Sequence, residues 1–186
     1  MGAIAMTDSS LTYHEFDDGL WVRCNERGCF MNSPALKAIT DKYMAEGGSH
    51  VVVDLELCPG VDSTFMGTLA GIARRCMGAG GAVEVAGATN RTRAAMESLG
   101  LDMLLAIDPA EAPWQADIAE RRAVLAQDTG ALGVGGSVLT ETARTRHVLE
   151  AHEALRTMNE KNDETFGYVC DTLKKDLKRH EREDGA

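Results

Sequence analysis

Three groups of residues carry side chains that could do chemistry. Asp62-Ser63-Thr64 sets two hydroxyls beside a carboxylate at the start of a helical pattern, a spacing that suits either a helix cap or a displayed phosphoacceptor. Ser63 at a helix start is expected on the surface, where first-turn N–H groups can receive a phosphate. A phosphoryl group there adds roughly −1.5 to −2 charges at one point. Asp54 and Glu56 fall on one side of a strand by the two-residue period, as paired acid and base carboxylates would. With no nucleophile, histidine or metal set beside them, no enzyme is expected and no catalytic residue is assigned. His147 and His152 are five residues apart, which misses the four-residue step that puts two ligands on one helix face. They read as solvated helix histidines, and neither a metal nor another cofactor is expected.

The elements that position these groups are marked in the chain. Leu11 to Phe16 and Leu20 to Cys24 flank Asp17-Asp18-Gly19, a hairpin signal. Asn32-Ser33-Pro34 opens a helix carrying Leu36, Ile39 and Tyr43 that ends at Gly47-Gly48. His50 to Leu57, with Val51-Val52-Val53, suits a strand buried on both faces. After Cys58-Pro59-Gly60, the residues Phe65, Leu69, Ile72 and Cys76 recur at helical spacing up to Gly78. A strand at Ala82 to Ala88, a helix at Arg91 to Leu99 closed by Gly100 and a short strand at Met103 to Ile107 follow. Ala110 to Gln127 reads as helical, Gly130 to Gly136 as a glycine-rich hinge, and Thr140 to His180 as one long helix or a helical hairpin.

This order predicts an α/β fold: a mixed sheet of about five strands with helices mainly on one face, plus an α-helical C-terminal extension. The expected organisation is a domain over 1–109, a helix and glycine-rich linker over 110–137, and the extension over 138–186. In the extension Val148, Ala151, Leu155, Met158, Asn162 and Val169 form a heptad-like series, so a homodimer through this helix and packing on its own domain are expected equally. The polar run Asn159 to Glu164 interrupts that seam and favours a break or a partner contact there.

The segment Val53-Asp54-Leu55-Glu56-Leu57-Cys58-Pro59-Gly60-Val61-Asp62-Ser63-Thr64-Phe65-Met66-Gly67 resembles the signature of the STAS family, the anti-sigma-factor antagonists and their relatives. The likeness runs in order over about residues 10 to 108, including Gly100-Leu101-Asp102, and leaves the C-terminal part uncovered. It implies a bacterial regulator of transcription that binds an anti-sigma factor or GHKL-type serine kinase, with phosphorylation of Ser63 (Thr64 as the alternative) switching the binding. The partner surface it implies comprises Asp54, Asp62, Ser63, Thr64, Phe65, Met66 and Gly67, with Met66 the exposed apolar anchor. Gly67 and Gly71, one turn apart, would let the helix approach the sheet or a partner closely. Thr64-Phe65-Met66 departs from the usual small Ser-Gly pair, and a bulky Phe65 beside the acceptor would obstruct a kinase. The alternative is a non-phosphorylated scaffold, or an accessory subunit of a signalling assembly or a lipid-transport ATPase.

The net charge of −10 argues against nucleic acid, whose nonspecific binding needs basic side chains. The cluster Lys174, Lys175, Lys178, Arg179 and Arg182 reads as compensation at a helix C-terminus. Five cysteines without a CxxC step suit a reducing compartment. With no apolar run long enough to cross a bilayer, no membrane insertion and a cytoplasmic location are expected.

Overall fold

The computed structural model describes residues 10–127, 130–132 and 139–184. Strands β1 (Leu11–Phe16) and β2 (Gly19–Cys24) form the expected antiparallel hairpin, with Phe16 opposite Gly19. Strands β3 (His50–Asp54), β4 (Ala82–Ala86) and β5 (Ala106–Ile107) then add in parallel beside β2. β3 is shorter than expected because the chain turns at Leu55, whose carbonyl accepts from the Cys58 N–H. Likewise β5 keeps only two residues, since Leu101–Met103 closes into a 3-10 turn.

A sixth strand exceeds the expectation. Gly130–Leu132 (β6), within the segment read as a hinge, pairs antiparallel with β1, giving the order β5-β4-β3-β2-β1-β6. The remainder of that glycine-rich segment, 133–136, lies outside the described residues.

Helices α1 (Ser33–Ala45), α2 (Ser63–Gly78) and α3 (Asn90–Ser98) cover one face of the sheet. The alternation of β3 shows why both faces need a cover. Val51 and Val53 join Leu20, Leu36, Phe65, Leu69, Ile72 and Met96 on the α1–α3 side. Val52 points the other way, into a smaller core with Trp21, Ala86, Trp114 and Leu125. That second face is closed by a 3-10 turn at Pro113–Ala116 and by α4 (Ile118–Gln127), so the single helix expected over Ala110 to Gln127 is two pieces. Trp21 and Trp114 meet edge to face there at 5.5 Å.

The C-terminal extension is a helical hairpin, α5 (Glu141–Arg156) and α6 (Glu160–Asp184). The break falls at the polar run: the Asn159 side chain accepts from the Asn162 N–H, capping α6. The apolar stripe turns inward, with Leu149, Leu155, Phe166 and Cys170 buried in the main core. Asn162, the expected register residue of a coiled coil, is buried instead and donates to the carbonyls of Leu99 and Leu155. Of the two expectations for the extension, packing on its own domain is the one the fold shows, and α5 lies along α2.

Candidate functional site

Asp62 is the N-cap of α2. Its Oδ1 accepts from the Phe65 N–H at 2.8 Å and its Oδ2 from the Phe30 N–H at 2.9 Å. One carboxylate thus starts the helix and ties down the loop between β2 and α1. Because Asp62 does the capping, the Ser63 hydroxyl is left for another partner.

That partner is His152 of α5, whose Nε2 lies 3.1 Å from Ser63 Oγ. His152 Nδ1 is 2.8 Å from the Val148 carbonyl oxygen, which can only accept, so Nδ1 carries a proton. In the neutral ring Nε2 is then an acceptor, and Ser63 Oγ–H donates to it. Ser63 itself is only half-buried.

His147, about one and a half turns earlier, enters a separate junction of three helices. Its Nε2 lies 2.9 Å from Ser33 Oγ of α1 and 3.3 Å from Thr68 Oγ1 of α2. Burial, together with the positive charge of Lys37, lowers its pKa to about 4. A cavity of about 150 Å³ opens beside it, lined among others by Lys37, Arg75, Gly67 and Glu150. Both histidines are only 7 % exposed, which corrects the expectation of solvated side chains. Spaced by five, they point in two directions, and each meets a different part of the domain.

The outward stripe of α2 runs along Ser63, Gly67, Gly71 and Arg74, one turn apart. At Gly67 the α5 backbone comes so close that an added Cβ would run into the Ala151 carbonyl. Arg74 closes the stripe by donating to Thr157 Oγ1 at 2.8 Å. The close approach expected of Gly67 is therefore made, and it is made to the chain's own hairpin.

Other expected site residues are placed differently. Met66, expected to be the exposed anchor, is 7 % exposed, because it packs in the main apolar core. Thr64 is buried as well. Phe65 is fully buried, its ring against Gly28. It turns its bulk toward the sheet, so it does not obstruct the Ser63 hydroxyl.

Asp54 does not belong to this surface. It shares the orientation of Val52, on the sheet face opposite α2, and is fully buried. Arg122 of α4 grips it with two hydrogen bonds, Nε to Oδ2 at 3.0 Å and Nη2 to Oδ1 at 2.9 Å. Arg23 and Arg122 also bind Glu56, so Asp54 and Glu56 do share a side, as an ion-paired clasp between β2, β3 and α4. No signal within residues 50–67 indicates that clasp, because its partners lie at Arg23 and Arg122.

Among the described residues no group of His, Cys, Asp and Glu is arranged to hold a metal ion. No helix among them is long and apolar enough to cross a membrane.

The family model described as Mlab, STAS domain matches residues 29–106, from the loop before α1 to the start of β5. This stretch is similar to a STAS domain. The solved structure of a candidate anti-sigma-factor antagonist from Thermotoga maritima shares its fold, with a TM-score of 0.50 and 17 % identity over 62 % of this chain and 93 % of that one. RsbS of Moorella thermoacetica, in a form with one serine replaced by glutamate, aligns with a TM-score of 0.47 and 18 % identity, over 61 % of this chain and 99 % of that one. No curated protein matches the chain. The family match stops before α4 and the α5–α6 hairpin, so what lies on α2 is an addition to the STAS domain.

Proposed function

We propose that this chain is a regulatory protein-binding module of the anti-sigma-factor-antagonist kind, in which the first turns of α2 are the recognition face and Ser63 is the modified switch. The observation that carries the reading is the division of labour at the start of α2. Asp62 caps the helix, while Ser63 is only half-buried and its hydroxyl is bound through a side chain of the extension. Thr64, the alternative acceptor, is buried, which favours Ser63.

A phosphate on Ser63 stands at a helix N-terminus, where the macrodipole favours it, but beside the Asp62 carboxylate. A partner surface suited to the neutral hydroxyl would have to desolvate that negative cluster, and each tenfold loss of affinity corresponds to about 1.4 kcal/mol. The partner class is an anti-sigma factor or GHKL-type serine kinase, in the cytoplasm.

Incubation with a purified GHKL-type serine kinase, followed by mass spectrometry, tests the acceptor: the wild type gains a phosphate at Ser63 and Ser63→Ala does not. Recovery of the kinase on immobilised wild type, Ser63→Ala and Ser63→Asp tests the switch, with Ser63→Asp expected to lose it. Equal recovery on all three removes the regulatory reading.

A second reading, a non-phosphorylated scaffold or accessory subunit, is favoured by one observation: the chain's own α5 already occupies the outward stripe of α2. Its signature would be a complex indifferent to every Ser63 form and lost on deletion of residues 138–186.

A further inference from the structure

We propose that the α5–α6 hairpin is a releasable cover of the α2 face, an intramolecular occupant that a partner must displace before it reaches Ser63. This rests on the assignment of that face to the partner. The argument starts from the two sides of α2. Phe65, Leu69, Ile72 and Cys76 face the sheet and are buried in the STAS core. The α2 residues that α5 bonds to or closely approaches are small or polar: Ser63, Gly67 and Thr68, with Arg74 reaching Thr157 at its end. Lifting α5 away therefore breaks polar and backbone contacts along this stripe, and it also parts apolar groups, since Leu149, Leu155, Phe166 and Cys170 share one core cluster with Met66 and Ala70 of α2. The apolar groups of that shared cluster, on the hairpin and on the domain, set the cost of opening.

Among the described residues, few polar contacts join α5 to the α1–α2 face. They are the Ser63–His152 and Ser33–His147–Thr68 hydrogen bonds and Arg74 to Thr157, beside the backbone approach of Ala151 to Gly67. Such hydrogen bonds are exchangeable for water at small net cost, because each lost protein partner is replaced by a solvent one.

The hairpin meanwhile holds itself together. His152 packs on the Phe166 ring at 5.3 Å between centroids, and Arg146–Glu181, Lys174–Glu153 and Arg156–Asp163 pair α5 with α6. Asn162 bonds the start of α6 to the Leu155 carbonyl of α5. Its second bond, to the Leu99 carbonyl, fastens the hairpin turn to the end of α3 and has to open with the rest. Two units, each with internal bonding and joined through a seam whose hydrogen-bonded and closest contact points on α2 are small or polar, are the condition for one to open while the other stays folded.

Hydrogen–deuterium exchange on the full chain tests this directly. In the wild type, α5 and α6 amides should exchange through an opening that leaves β3 and β4 protected. Ala151→Arg puts bulk and charge into the seam from the hairpin side, leaving the α2 face unaltered, and should speed exchange of α5 and α6 at least about tenfold without changing β3 or β4. His152→Ala, which adds no bulk, should speed the same segments by a smaller factor and raise kinase recovery. Exchange of hairpin and sheet together in all three chains overturns the cover, whatever the partner does. Separate exchange with equal recovery on the three Ser63 forms keeps the cover and removes the phosphorylation switch.

Discussion

The two sides of α2 solve opposite problems with one helix. The sheet-facing side holds Phe65, Leu69, Ile72 and Cys76, large groups that exclude water and fix the helix on β3 and β4. The outward side holds Ser63, Gly67, Gly71 and Arg74, and at Gly67 the absence of a side chain lets the α5 backbone come close. Permanence follows from the first composition, while the second permits an exchange of occupants. The proposed switch at Ser63 belongs to the second side.

The largest effect should come from the permanent side. Phe65→Ala empties a fully buried site against Gly28 and should cost about 3–5 kcal/mol, read as a lower urea midpoint for sheet and hairpin alike. A loss confined to the hairpin would break the contrast between the two sides.

Next comes acid. His147 has its pKa lowered to about 4, whereas an unfolded chain titrates near the ordinary 6.5. Between those values the unfolded state binds the proton first, so stability is full above about pH 6.5 and falls as pH drops toward about 4. The loss is at most about 3 kcal/mol, and His147→Asn should flatten that part of the profile. Lys37 from α1 opposes the protonated form, and Arg75 and Glu150 line the same cavity, so the effect belongs to the α1–α2–α5 junction.

Gly67→Ala has the smallest net effect and the most telling sign. In a solvent-facing helix the change would stabilise by up to about 1 kcal/mol through propensity. Against the Ala151 carbonyl it instead forces a shift costing about 1–3 kcal/mol. A net loss of thermal stability sharpens the picture of a tight seam; a net gain would mean that α5 is not held there.

Local patterning made much of this fold readable. The Asp-Gly step marked the β1–β2 hairpin, Val51-Val52-Val53 marked the central strand, and Asp62 marked the start of α2. What escaped was decided by distant partners. Gly130–Leu132 has the composition of a linker and becomes a strand only because β1 offers it an open edge. Asp54 has a strand-end position that fits a surface site, yet Arg23 and Arg122 draw it into the second face. Met66 and the two histidines were assigned to solvent because spacing reveals which residues share a side, and not what lies against that side. Ser63 was expected as a displayed hydroxyl; that the chain itself supplies its first neighbour was not legible.

The short strand β6 has a consequence for self-association. By bonding to Leu11–Tyr13 it occupies the first half of the edge with which β1 could template a strand from another molecule. At the far margin β5 offers only two residues. A continuous intermolecular sheet therefore has little purchase at either end, and copies of this protein that meet at high concentration should do so through helices, leaving fibrous aggregation to chains that have already unfolded.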